Sequence, residues 1–72
     1  MTAIHRRLVT DRDLEEAMAN RSRIRVFEHD QFVHSGGIII RFDDATVVIQ
    51  SGASDIFHFS RESCELFQLK RR

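Results

Sequence analysis

The sequence predicts a mainly β domain: a small, strongly bent, five-stranded antiparallel barrel preceded by one short α-helix. Three observations lead there. Two β-branched runs, Ile38-Ile39-Ile40 and Val47-Val48-Ile49, are joined by the acidic turn Asp43-Asp44-Ala45; such residues lose side-chain freedom in a helix but pack well on a pleated surface. A glycine pair, Gly36-Gly37, opens the first run, at a point where a long strand can curl from one sheet into the next. The links between apolar segments are short, which favours antiparallel neighbours.

Taken in order, residues 1–9 read as an arm whose Ile4 and Leu8 can dock, and residues 10–72 as a single barrel domain. Thr10 caps a helix by accepting from the Asp13 amide, and Asp11 and Asp13 complement the dipole of its first turn. Val9 and Leu14 have the spacing of a hydrophobic staple. Leu14, Ala17 and Met18 form one apolar stripe, and Asn20 is suited to a left-handed cap. Ser22 to Asp30 alternates, with Ile24 and Val26 on one face and Arg23, Arg25 and Phe27 on the other, as in a half-buried strand. A turn at His29-Asp30-Gln31 leads into the bent strand that begins at Phe32. Thr46 to Ser51, Asp55 to Ser60 and Cys64 to Leu69 are the remaining strands. The last two carry apolar residues on both faces, which points to each pairing with, or packing on, a neighbouring molecule, as exposed strand edges invite.

The totals narrow the classes. A 72-residue chain buries only about 60 % of its unfolded surface and is marginal alone. Cys64 is the only cysteine, so no internal disulfide forms and self-association becomes the natural remedy. Eleven basic residues balance eleven acidic ones, so total charge gives no general affinity for nucleic acid. The basic residues are nevertheless grouped: Arg6, Arg7 and Arg12; Arg21, Arg23 and Arg25; Lys70, Arg71 and Arg72. No run approaches the ~20 apolar residues of a membrane helix, and no apolar stretch follows Arg6-Arg7 as a secretory signal requires. The expectation is a cytoplasmic protein with no membrane partner.

Several of these features, in this order, resemble the Sm-like (SH3-like) barrel and, within it, the Hfq-type RNA chaperones. The resemblance covers about Asp13 to Leu69. It rests on Leu14 in the opening helix, the exit Asn20-Arg21-Ser22-Arg23, the Ile24/Val26 strand, a glycine at Gly36 or Gly37, the Arg41-Phe42-Asp43 turn and the Val47-Val48-Ile49 strand. It implies a ring-forming homo-oligomer, a hexamer in that family, that binds single-stranded RNA. The chain also departs from the pattern. Ile56-Phe57-His58-Phe59-Ser60-Arg61 stands where the family has a Tyr-Lys-His-Ala-type run, and Ala45 stands where an aromatic is expected. Those positions build the family's uridine pocket. Two registers fit Gln31 to Gly37; the one equating Gly36 with the family glycine also places Phe27 and Phe32 on the face that takes A-rich RNA.

The candidate residues each carry two readings. Phe42 and Asp43 form part of a nucleotide site, or are a core residue and a turn former. His58 and Arg61 flank a turn, with Arg61 replacing the absent lysine as an anion contact or pairing with Glu62 or Glu65. Arg21, Arg23 and Arg25 form a basic rim for the RNA backbone, or salt-bridge to Glu15, Glu16 or Glu28. His29, His34, His58 and Cys64 lack metal-ligand spacing, and no oriented nucleophile is in view. The expectation is a non-enzymatic binder without metal or cofactor. Its rival is a structural or protein-interaction barrel that kept the fold and lost RNA.

Overall fold

The computed structural model describes residues 3–71, with side chains from residue 6 to residue 69. The side chains of Ile4, Lys70, Arg71 and Arg72, which the sequence marks as docking or basic groups, lie outside the described set. Within it are one helix and six strands: β1 (Ala3–Leu8), α1 (Asp11–Ala19), β2 (Arg23–Glu28), β3 (Gln31–Phe42), β4 (Thr46–Ser51), β5 (Asp55–Ser60) and β6 (Cys64–Arg71). All six strands form one antiparallel sheet in the order β1-β6-β2-β3-β4-β5. The mainly β class and the short helix are as the sequence predicts. The strand count is not, because the expected arm is a strand that pairs with β6 from Ala3↔Arg71 to Leu8↔Leu66. The sheet is open: β1 and β5 are its edges and do not pair with each other.

Helix α1 forms where its cap chemistry is complete. Thr10 Oγ1 accepts from the Asp13 amide at 3.1 Å, while Asp13 Oδ2 accepts from the amides of Val9 and Thr10 at 2.9 and 3.1 Å. This is a capping box built with aspartate. Leu14 and Ala17 are fully buried and Met18 packs against the same core. Val9 is 63 % exposed, so the expected staple on Leu14 adds little. The helix exit also differs from expectation. Asn20 keeps a right-handed conformation, and Arg21 takes the left-handed one with φ 53°. Arg21 and Ser22 donate to the carbonyls of Met18 and Ala17 at 3.2 and 2.9 Å, the paired bonds of a Schellman end.

Strand β3 is bent because its register shifts twice against β2 and once against β4. Each shift leaves one β3 residue unopposed, in turn Val33, Gly36 and Ile40, and such bulges bend and twist a strand. Gly36 sits at the middle one with φ 96°. Gly37 is needed for space instead, since a Cβ there would overlap Cγ2 of Ile49. The β2–β3 hairpin turns on His29 and Asp30, both at positive φ (52° and 65°). That is the primed geometry which matches strand twist, made here without glycine.

The curl produces the core. Leu8, Leu14, Ala17, Ile24, Val26, Ile39, Val47, Ile49 and Leu66 form one buried cluster. His34 stands on the inward face of β3, opposite Val26, and reaches the edge strand. Its ring lies 4.6 Å from that of Phe57 and 6.4 Å from that of Phe59. Side-chain contact thus ties the first half of β3 to the edge strand β5, two strands away in the sheet. Among the described residues, no helix is long and apolar enough to cross a membrane.

Strand β6 lies between β1 and β2, which corrects the expectation that both last strands present free edges. Its apolar residues on both faces have an internal cause. Leu66 points into the core, opposite Val26 and Leu8, while Phe67 points outward, opposite Arg25 and Arg7.

Candidate nucleic-acid interface

The outward face of β2 carries Arg23, Arg25 and Phe27 in sequence, alternating with the buried Ile24 and Val26. At its amino-terminal end, Arg23 is the register partner of Ile38, which in turn faces Gln50 across β4. This row floors a cleft of about 660 Å³ lined also by Arg21, Gly36 and Gly52. The left-handed turn at Arg21 brings its side chain to the same cleft.

At the other end, Phe27 is the hub of an aromatic group. Its ring meets Phe32 edge-on at 5.8 Å and Phe67 edge-on at 5.7 Å. Edge-to-face pairs of this kind are favourable, and they hold the rings without covering them. Phe32 remains 59 % exposed. Between the two ends, Arg25 lies opposite Phe67 on β6 and Ser35 on β3. Its Nε is buried and has no hydrogen-bond partner among the described residues.

Charge pairing separates these arginines, together with Arg41, from the others. Arg6 pairs with Asp13 at 2.6 Å and Glu16 at 3.5 Å, Arg7 with Glu65, and Arg12 with Glu16. Among the described residues, Arg21, Arg23 and Arg25 form no salt bridge, to Glu15, Glu16, Glu28 or any other acid. The outward stripe therefore runs uncompensated guanidinium groups, over about 14 Å of strand, up to the half-buried Phe27 and the exposed Phe32 beside it.

The remaining sequence candidates gather elsewhere. Phe42, Asp43 and Arg61 meet at the β3–β4 turn, where Arg61 is largely enclosed. Its Nη1 donates to the Asp43 carbonyl at 2.7 Å and pairs with Asp11 at 2.7 Å. Its guanidinium carbon stands 5.8 Å from the Phe42 ring centroid, within cation–π range. The pairing partner is Asp11 rather than the expected Glu62 or Glu65. Asp43 Oδ1 accepts from the amides of Ala45 and Thr46 at 2.9 and 2.8 Å. These two bonds hold its carboxyl below the usual aspartate value, with Arg41 and Arg61 adding to the effect. Asp43 is thus a turn former, and the shallow cavity beside it is lined by Asp11, Asp44 and Glu62 as well as Arg61. His58 is exposed on β5, opposite Val48, on the face away from Phe57 and Phe59.

Sequence reasoning missed Phe67. The alternation of Cys64 to Leu69 held the signal, because Phe67 is out of phase with the buried Leu66 and Gln68. No protein-family model, curated protein or solved structure matches this chain.

Proposed function

We propose that this chain is a nucleic-acid-binding protein of the Sm-like, Hfq-type class, which holds single-stranded RNA on the outward stripe of β2 and acts as a homo-oligomer. The observation that carries the reading is the run Arg23, Arg25, Phe27, without a carboxylate partner among the described residues and continuous with the exposed Phe32. Arginines neutralise phosphates without regard to sequence. Exposed aromatic rings stack bases, at about 1–3 kcal/mol per base. A single strand offers both groups at once, whereas a duplex hides its base faces. The Sm-like assignment is supported by a short helix, five consecutive strands after it, the bend at Gly36 and the tight turn between β5 and β6.

In this proposal the turn at Phe42-Asp43 is not a base pocket. Arg61 is engaged within the chain and the surrounding side chains are mainly acidic. The same fact favours the rival reading, a protein-interaction barrel without RNA. Fluorescence anisotropy with U-rich, A-rich and mixed RNA at two salt concentrations separates the two. The RNA reading expects micromolar binding that weakens steeply with salt. Arg23→Ala should lower the slope of log affinity against log salt by about one. Phe32→Ala, at an exposed position, should weaken binding by about 5- to 150-fold, the loss of one stacked base. Absence of binding at either salt concentration leaves the rival.

A further inference from the structure

Strand β5 is an edge without the usual protection. It has no proline and no lysine, and its register against β4 runs from Thr46↔Ser60 to Ser51↔Asp55 without a shift. Ile56 and Phe57 are 45 % and 38 % exposed. The opposite edge differs, since β1 carries the consecutive charges Arg6 and Arg7, which pair with Asp13, Glu16 and Glu65. Charges of that kind blunt strand pairing, and an uncovered apolar edge invites it.

The hydrogen-bond phase fixes what β5 offers. The Arg61 amide donates to the Ala45 carbonyl at 2.8 Å, which makes Thr46↔Ser60 a non-hydrogen-bonded pair. By alternation, Asp55, Phe57 and Phe59 direct their amides and carbonyls to β4. Ile56, His58 and Ser60 direct theirs outward.

We infer that β5 pairs antiparallel with β5 of a second copy, about a two-fold axis at His58. Only registers that oppose outward-directed residues can form a ladder, and this one opposes all three of them, Ile56, His58 and Ser60. His58 faces its own counterpart, and Ile56 faces Ser60 of the partner subunit. About six backbone hydrogen bonds result. The side chains are complementary in the same register. Phe57 faces the partner's Phe59 in the closer, non-hydrogen-bonded pair, where aromatic cross-strand contacts are favourable. The aromatic file of His34, Phe57 and Phe59 then continues across the axis. Asp55 faces the partner's Arg61, whose Nη1 makes both of its contacts within the chain while Nη2 is left for the partner. The contact is isologous and closes at two subunits. It replaces the ring expected from the last two strands, because β6 already has neighbours on both sides. It does not depend on RNA.

Light scattering at micromolar concentration should give a dimer. His58→Pro removes only an outward amide, a place where an edge strand tolerates proline, and should give a folded monomer by circular dichroism and scattering. In a Cys64→Ser background, oxidised His58→Cys should form a disulfide dimer, its Cα atoms being about 5.5 Å apart and within bridging distance. Ile56→Cys should not, because the two copies of that position lie about 14 Å apart. A wild-type monomer, or a higher ring, overturns the inference. So does bridging at position 56 in place of 58. Should His58→Pro unfold, the two cysteine variants decide alone.

Discussion

Of the two glycines at the bend, Gly37 has the less room for a side chain. A Cβ there would overlap a methyl of Ile49 and stand 3.3 Å from both the Gln50 carbonyl oxygen and His34 Nε2. Ile49 is fully buried, so it cannot step aside into solvent. Gly37→Ala is therefore expected to lower stability by about 1–3 kcal/mol, seen as a fall of several degrees in the melting temperature. A change within the error of a calorimetric scan would show that the strand can relax at this point. The sequence marked Gly36-Gly37 as a bend, but not the division of labour between one residue for torsion and one for space. That division depends on Ile49 arriving from the next strand. Asp43 and Phe42, in contrast, were readable as a turn former and a turn-packed ring, because their contacts are local. Arg21 was not readable as the left-handed residue. Asn20 is the better candidate by intrinsic preference, and only the hydrogen bonds to Ala17 and Met18 select its neighbour.

Two elements end on carboxylates that work only when ionised. Asp13 accepts the amides of Val9 and Thr10 at the start of α1, and Asp43 accepts those of Ala45 and Thr46 between β3 and β4. In each case the backbone bonds come first among the causes that lower the carboxyl below its ordinary 3.8. A lowered folded value means a contribution fully present above the unfolded one. Stability should hold as pH falls from 7 to about 5, then decline from near 3.8 downward as both groups take up protons. Asp43→Asn should flatten that acid decline in thermal melts; an unchanged profile would remove the turn from the account. The helix and the strands β2 to β6 were legible because each has its own local pattern of apolar residues and turn signals. Strand β1 was not. Its partner β6 lies at the far end of the chain, and Arg6, on the same face as the buried Leu8, is held there by Asp13 and Glu16 of the helix. An arginine at an inward position erases the alternation that signals a strand.

For the whole molecule, β1 is the difference between a covered and an uncovered β6. Removing residues 1–8 takes Leu8 out of the core, a loss of about 2–5 kcal/mol by comparison with buried leucine truncations, against a total of about 5–15 kcal/mol for an ordinary domain. The truncated chain should melt well below the full one and should scatter as a larger, less uniform species, because a second apolar edge is then open. An unchanged melting temperature would mean that β1 is an accessory to the sheet. The outward stripe of β2 was legible as residues and not as a surface. Arg23, Arg25 and Phe27 are consecutive on one face by simple alternation. Phe67 joins them only because β6 returns beside β2.

That return has a consequence for the order in which the fold is reached. The hairpins from β2 to β5 close over a few residues each, whereas Ala3 finds Arg71 only after nearly the whole described chain has been traversed. Loop closure of that span comes late, when the intervening strands have already brought the ends near. Once made, it sets the first and last strands side by side in the open sheet: β1 and β6 lie as close as any hairpin, and the exposed loop at Gly52-Ala53-Ser54 is as natural a place for a chain to start as the present one.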